Sequence, residues 1–126
     1  MNAYVSYPFD IDDQLLKDLQ SWTAEKVPLK EAQNMGGFDG NTLLPVIEFV
    51  VLSALSGATY DIAKHIFLKL KARWQSGKSQ PAFNIKLPLS NEAFLFMDGT
   101  YFHLTSEGKR EISEAEWLEG VTKNIE

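Results

Sequence analysis

The chain contains no cysteine. Disulfides, thiolate zinc sites and thiol nucleophiles are therefore excluded together. Absence of cysteine suits a reducing compartment, so the expected location is cytoplasmic. Histidine is scarce as well, with two residues, His65 and His103. No long hydrophobic run is present. The most apolar window, 43–58 (LLPVIEFVVLSALSGA), is shorter than the roughly 20 residues a bilayer span needs and carries Glu48 inside it. The start, MNAYVSYPFDIDD, lacks a basic segment followed by an apolar one and does not read as a signal peptide. No membrane partner is expected. Positive charge is in deficit, with 12 Lys and Arg against 17 Asp and Glu, a formal net charge of −5. That balance opposes binding to nucleic acid or anionic lipid and leaves a basic partner open.

Recognisable chemical motifs are missing too. The sequence has no G-x-G-x-x-G, Walker-type loop, G-x-S-x-G, H-E-x-x-H or EF-hand spacing. GFDGN (37–41) offers two oxygen ligands, too few for calcium. No cofactor or metal is expected.

What is present suits one domain over residues 1–126, long enough to bury a core without a staple. AYVSYPF (3–9) is β-prone, and Pro8 implies a sheet edge or a strand end. Ile11, Leu15, Leu19 and Trp22 share one helical face over residues 10–22, with Asp10 or Asp12 as cap. LKEAQNM (29–35) reads as a short helical turn and GGFDGN (36–41) as a loop. Residues 43–55 are apolar around the whole circumference, which predicts a central buried helix capped by Asn41 or Thr42. Beyond Gly57 the apolar positions Ile62, Ala63, Ile66, Phe67, Leu70 and Trp74 fall on one side. The pattern predicts one helix that continues through Gly57 with a bend, although a break or a close approach also fits a glycine there.

The second half changes period from 3.6 to 2. Phe83, Ile85 and Leu87 alternate with Asn84 and Lys86, as in a strand with one buried face. Asp98-Gly99 between two apolar runs calls for a two-residue type I′ hairpin. That turn pairs Met97 with Thr100, Phe96 with Tyr101, Leu95 with Phe102 and Phe94 with His103. SEGK (106–109) turns again into a short strand, and Ser113 with Glu116 forms a capping box for a last helix. Trp117, Leu118, Val121 and Ile125 make the inner side of that helix. The expected fold is α+β: a single domain with an antiparallel β-meander packed against a long central helix and two further helices.

Several side chains invite a functional reading. Asp61 and His65, four residues apart, stand together on a helix surface and could share a proton or a metal; their place opposite the apolar stripe favours an ordinary exposed pair. Leu68 and Ala72 on the same flank suggest a second contact with the sheet or, alternatively, part of a partner surface. Glu48 is the one charge in its run, so it must be paired, exposed at a groove or neutral. His103 at the hairpin edge reads as a satisfied histidine. Lys64, Lys69, Lys71, Arg73 and Lys78 form a run without an acid, whereas Glu107, Glu111, Glu114, Glu116, Glu119 and Glu126 crowd the C-terminal end. Glu114 and Glu116 suit the positive end of the helix dipole, and Glu119 with Lys123 makes a surface pair.

In size, acidity, absence of catalytic motifs and the helix LSGATYDIAKHIF (55–67), the sequence resembles the small bacterial immunity proteins that neutralise a cognate toxin, including those of contact-dependent growth inhibition. The resemblance implies a non-catalytic module that covers the active region of a toxin, often a basic nuclease, through a complementary charged surface. The contact residues expected from the charge pattern are Glu116 and Glu119, then Asp61, His65 and Lys64. Three other classes compete: a structural or homodimeric subunit, a small-ligand binder, and a hydrolase using Glu48 or Asp61 with His65.

Overall fold

The computed structural model describes residues 2–23, 26–32, 45–78 and 80–126. Its elements run β1 (Ala3–Tyr7), α1 (Asp13–Thr23), β2 (Leu29–Glu31), β3 (Val46–Val51), α2 (Gly57–Gln75), β4 (Ala82–Leu87), β5 (Glu92–Met97), β6 (Thr100–Thr105), β7 (Gly108–Ile112) and α3 (Glu114–Thr122). Among the described residues the architecture is α+β, three helices with one open seven-stranded sheet of order β2-β1-β3-β4-β5-β6-β7. The β4-to-β7 half is the expected antiparallel meander. The other half is mixed: β1 runs parallel to β2 and antiparallel to β3, and β3 runs parallel to β4. No helix among the described residues is long and apolar enough to cross a membrane.

Three expectations are corrected. The apolar run at 43–55 does not form a helix; Val46–Val51 is a strand paired on both sides. A strand buried on both faces and a helix buried all round leave the same unbroken apolar signature. β-Branched Val46, Ile47, Val50 and Val51 tip the balance toward strand, because their stiff side chains pack well on a pleated surface. Leu29–Glu31 is likewise a strand, not a helical turn. The loop at 36–41 and the cap at Asn41 or Thr42 lie outside the described residues.

Gly57 neither bends nor breaks a helix; it begins one. Ser56 is the N-cap of α2, and its hydroxyl accepts from the Thr59 N–H at 3.1 Å. The chain thus leaves β3 at Val51 and enters the 19-residue α2, which returns it to β4 parallel to β3. Asp12 caps α1, its carboxylate accepting from the Leu15 N–H at 3.2 Å.

All three helices pack on one face of the sheet. Leu15 and Leu19 of α1, Ala63, Ile66, Phe67 and Leu70 of α2, and Trp117 and Val121 of α3 share one core with Val5, Ile47, Phe49, Phe83, Ile85, Phe94, Phe96 and Tyr101. Alternation sends Glu48, Val50, Asn84 and Leu95 to the other face. Phe67 is the hub of the aromatic cluster. Its ring centroid lies 4.7 Å from Trp117, 5.3 Å from Phe96 and 6.0 Å from Tyr101.

The expected hairpin register holds at every pair, Met97 to Thr100 through Phe94 to His103. Asp98 and Gly99 both have positive φ, 50° and 78°, as a type I′ turn requires. The turn is sealed by Trp74, whose indole occupies the space a Cβ at Gly99 would need. Trp74 is 38% exposed, so it lies at the margin of the stripe assigned to it.

Ion pairs tie α2 to its neighbours on both flanks. Lys71 Nζ reaches Glu114 Oε2 of α3 at 2.5 Å, and Arg73 reaches Asp18 of α1 at 3.4 Å. Tyr101 on β6 donates to the same Glu114 oxygen at 2.5 Å. The bonds from Lys71 and then Tyr101 hold the Glu114 carboxyl below its ordinary value. Burial, then the bond to Glu114, pushes the Tyr101 phenol up.

Two outcomes test this packing. Phe67→Ala should cost about 3–5 kcal/mol in urea unfolding, the range for an emptied aromatic core site. Because folding lowers the Glu114 pKa, its contribution is complete above the ordinary carboxylate range and is lost as pH falls below it. The acid limb of a stability-against-pH curve should therefore be shallower for Glu114→Gln than for the parent chain.

Candidate functional site

The residues expected to contact a partner separate into two places. Asp61, Lys64 and His65 are exposed along the outer crest of α2. Leu68, 46% exposed, and the exposed Ala72 continue that crest, so the second sheet contact expected of them is not made. Among the described residues no hydrogen bond or ion pair joins Asp61 to His65. Burial, and secondarily the Asp61 charge, raises the neighbouring Tyr60 phenol.

Glu48 is far from this crest in the architecture, because it sits on the face of β3 that points away from the helices. Its carboxylate accepts from Asn84 Nδ2 at 3.3 Å, a side-chain bond between paired strands. Glu48, Asp61 and the imidazoles therefore do not converge. No cluster of three or more potential metal ligands occurs among the described residues.

Glu116 and Glu119 occupy a more structured setting. They line a groove of about 570 Å³ between α3 and the β5–β7 strands, together with Glu92, Phe94, His103, Arg110, Ile112, Gly120 and Lys123. None of Asp61, Lys64 and His65 borders it.

The groove follows from register and close packing. Phe94 on β5 pairs with His103 on β6, and His103 pairs with Arg110 on β7. The Phe94 and His103 rings stack at 4.6 Å and 8°. Helix α3 lies directly on Phe94 because Gly120 has no side chain; a Cβ there would stand 2.5 Å from Phe94 Cε1. The helix is fixed at its start by Ser113. That residue's hydroxyl accepts from the Glu116 N–H at 3.1 Å, while the Ser113 N–H donates to the Glu116 carboxylate at 3.1 Å. The expected capping box is complete.

That box also sets the charge of the groove wall. The Ser113 backbone bond, then its side chain, and more weakly Arg110, hold the Glu116 carboxyl below its ordinary range. Glu116 therefore remains a full anion at neutral pH. Glu119 stands 3.8 Å from Lys123, and both side chains are mostly in solvent, 67% and 72% exposed. A pair so exposed contributes at most about 1 kcal/mol and opens readily to a partner.

His103 is not the satisfied histidine expected. Its Nε2 is shut from solvent and makes no hydrogen bond among the described residues. Its nearest charged neighbour is Glu92 Oε1 at 3.5 Å. Glu92 and Arg110 escaped sequence reading as site residues. A signal for Arg110 was present: a two-residue turn at Ser106-Glu107 carries the hairpin register onward and sets Arg110 opposite His103. The approach of α3 that brings Glu116 and Glu119 over Glu92 has no local signature.

Comparison with protein-family models, with curated proteins and with solved structures finds no match.

Gly120→Ala tests the construction of the groove. In a free helix the change gains up to about 1 kcal/mol in propensity. Here the buried Phe94 ring cannot yield, so a net loss of about 1–3 kcal/mol is expected in urea unfolding, the range for an overpacked core. Near-ultraviolet circular dichroism should change as α3 lifts from the ring.

Proposed function

We propose that this chain is a non-catalytic protein-binding module, an immunity protein that binds and neutralises a cognate bacterial toxin with a basic surface, a nuclease being the leading candidate. The observation that carries the reading is the display of Glu116 and Glu119 along one groove wall. One is tied into its own helix cap, and the other is paired with a solvent-exposed lysine. Charges set in this way cost little to desolvate at a rim and attract a complementary surface over a distance. The net charge of −5 acts in the same direction. The crest of α2, with Asp61, Lys64 and His65, supplies a second contact zone of mixed sign.

The test requires a candidate toxin, sought among the genes neighbouring the one for this chain. Co-expression should protect cells from that toxin, and titration calorimetry should give a tight complex that weakens as salt rises. The double variant Glu116→Gln with Glu119→Lys removes the charge while keeping the cap, since glutamine also serves in a capping box. It should lower affinity about tenfold or more, mainly through slower association. Unchanged affinity and unchanged salt dependence would remove the α3 wall from the interface.

A further inference from the structure

The groove under α3 carries more information than its two acidic wall residues. Three carboxylates line it, Glu92, Glu116 and Glu119, against two permanent cations, Arg110 and Lys123. Among these permanently charged groups one negative charge is in excess. Glu119 has Lys123 beside it, and Arg110 lies near enough to Glu116 to lower its pKa. Glu92 has neither. Its carboxylate has only long contacts, 3.5 Å from the Ser90 hydroxyl and 3.5 Å from His103 Nε2. That buried nitrogen also lacks a hydrogen bond, an uncommon state for a polar atom withdrawn from water. Ile112, Ser90 and Asn124 complete the lining, and Phe94 lies buried beneath Gly120 and His103.

We propose that this groove seats one basic side chain of the protein partner, an arginine or lysine whose charged end meets Glu92 beneath the Glu116–Glu119 wall. The inference rests on the protein-binding reading above and adds where the partner inserts and with what chemistry. A single positive charge matches the excess of the lining.

The probe is a capped peptide, acetyl-Gly-Arg-Gly-amide, added to the full chain while the imidazole resonances of His103 are followed by NMR. A saturable shift is expected with the arginine peptide, a similar one with its lysine counterpart, and none with the uncharged citrulline peptide. Glu92→Gln should weaken binding about tenfold, and Glu119→Gln, on an exposed site that leaves the fold intact, by a smaller factor. Equal shifts with citrulline, no shift with arginine, or indifference to Glu92→Gln would overturn the proposal. No toxin enters this titration. Failure here therefore leaves the immunity reading standing on its own test, and failure of protection leaves the groove standing on this one.

Discussion

The contact on which the rest depends is the packing of Phe67 against Phe96, Tyr101 and Trp117. One ring on α2 touches two strands of the meander and the buried indole of α3. The local hydrogen bonds of each element would form a helix or a hairpin without it. Their relative placement would not follow. Burying four large rings removes several hundred square ångströms of apolar surface from water, and the edge-to-face geometry adds a directional preference. The Lys71–Glu114–Tyr101 group adds a polar lock between three of these four elements, α2, α3 and β6.

From that placement the electrostatic character of the outer layer follows. The basic run of α2 looked unopposed along the chain, but space sets acids on both sides of it, Asp18 from α1 and Glu114 from α3. Two of its cations are thereby neutralised in the fold. Lys64 stays exposed on the crest, beside Asp61 and His65. The acidic C-terminal segment divides in the same way: Glu114 serves the fold, whereas Glu116 and Glu119 face the groove. A charge count along the sequence does not distinguish these roles, because pairing across 43 residues is a property of the packed helices.

Glu116 shows how one residue serves both structure and recognition. Its carboxylate closes the capping box, which fixes the first turn of α3, and the same bonds keep it ionised. The helix start and the groove wall are thus one construction. Gly120 has the complementary role a helical turn later, where the missing side chain lets α3 rest on Phe94. Between them, the two positions determine how closely the helix overhangs Glu92 and His103.

The sequence alone determined whatever depends on near neighbours. The Asp98-Gly99 turn dictated the hairpin register to the residue, since both residues accept the positive φ that a type I′ turn requires. Ser113 and Glu116 announced α3 by the same local logic. The period-2 alternation of β4 and the apolar stripe of α2 were equally legible. Tertiary structure decided the remainder. Whether Val46–Val51 became a strand or a helix turned on its neighbours, β1 and β4, because a run apolar in every direction suits either conformation until something pairs with it. Gly57 became a helix start for the same reason: once β3 occupies the run before it, the chain needs a cap there, and Ser56 supplies it. The groove was decided last. Its residues come from β5, β6, β7 and α3, and only the burial of Phe94 under Gly120 brings their charges to one place.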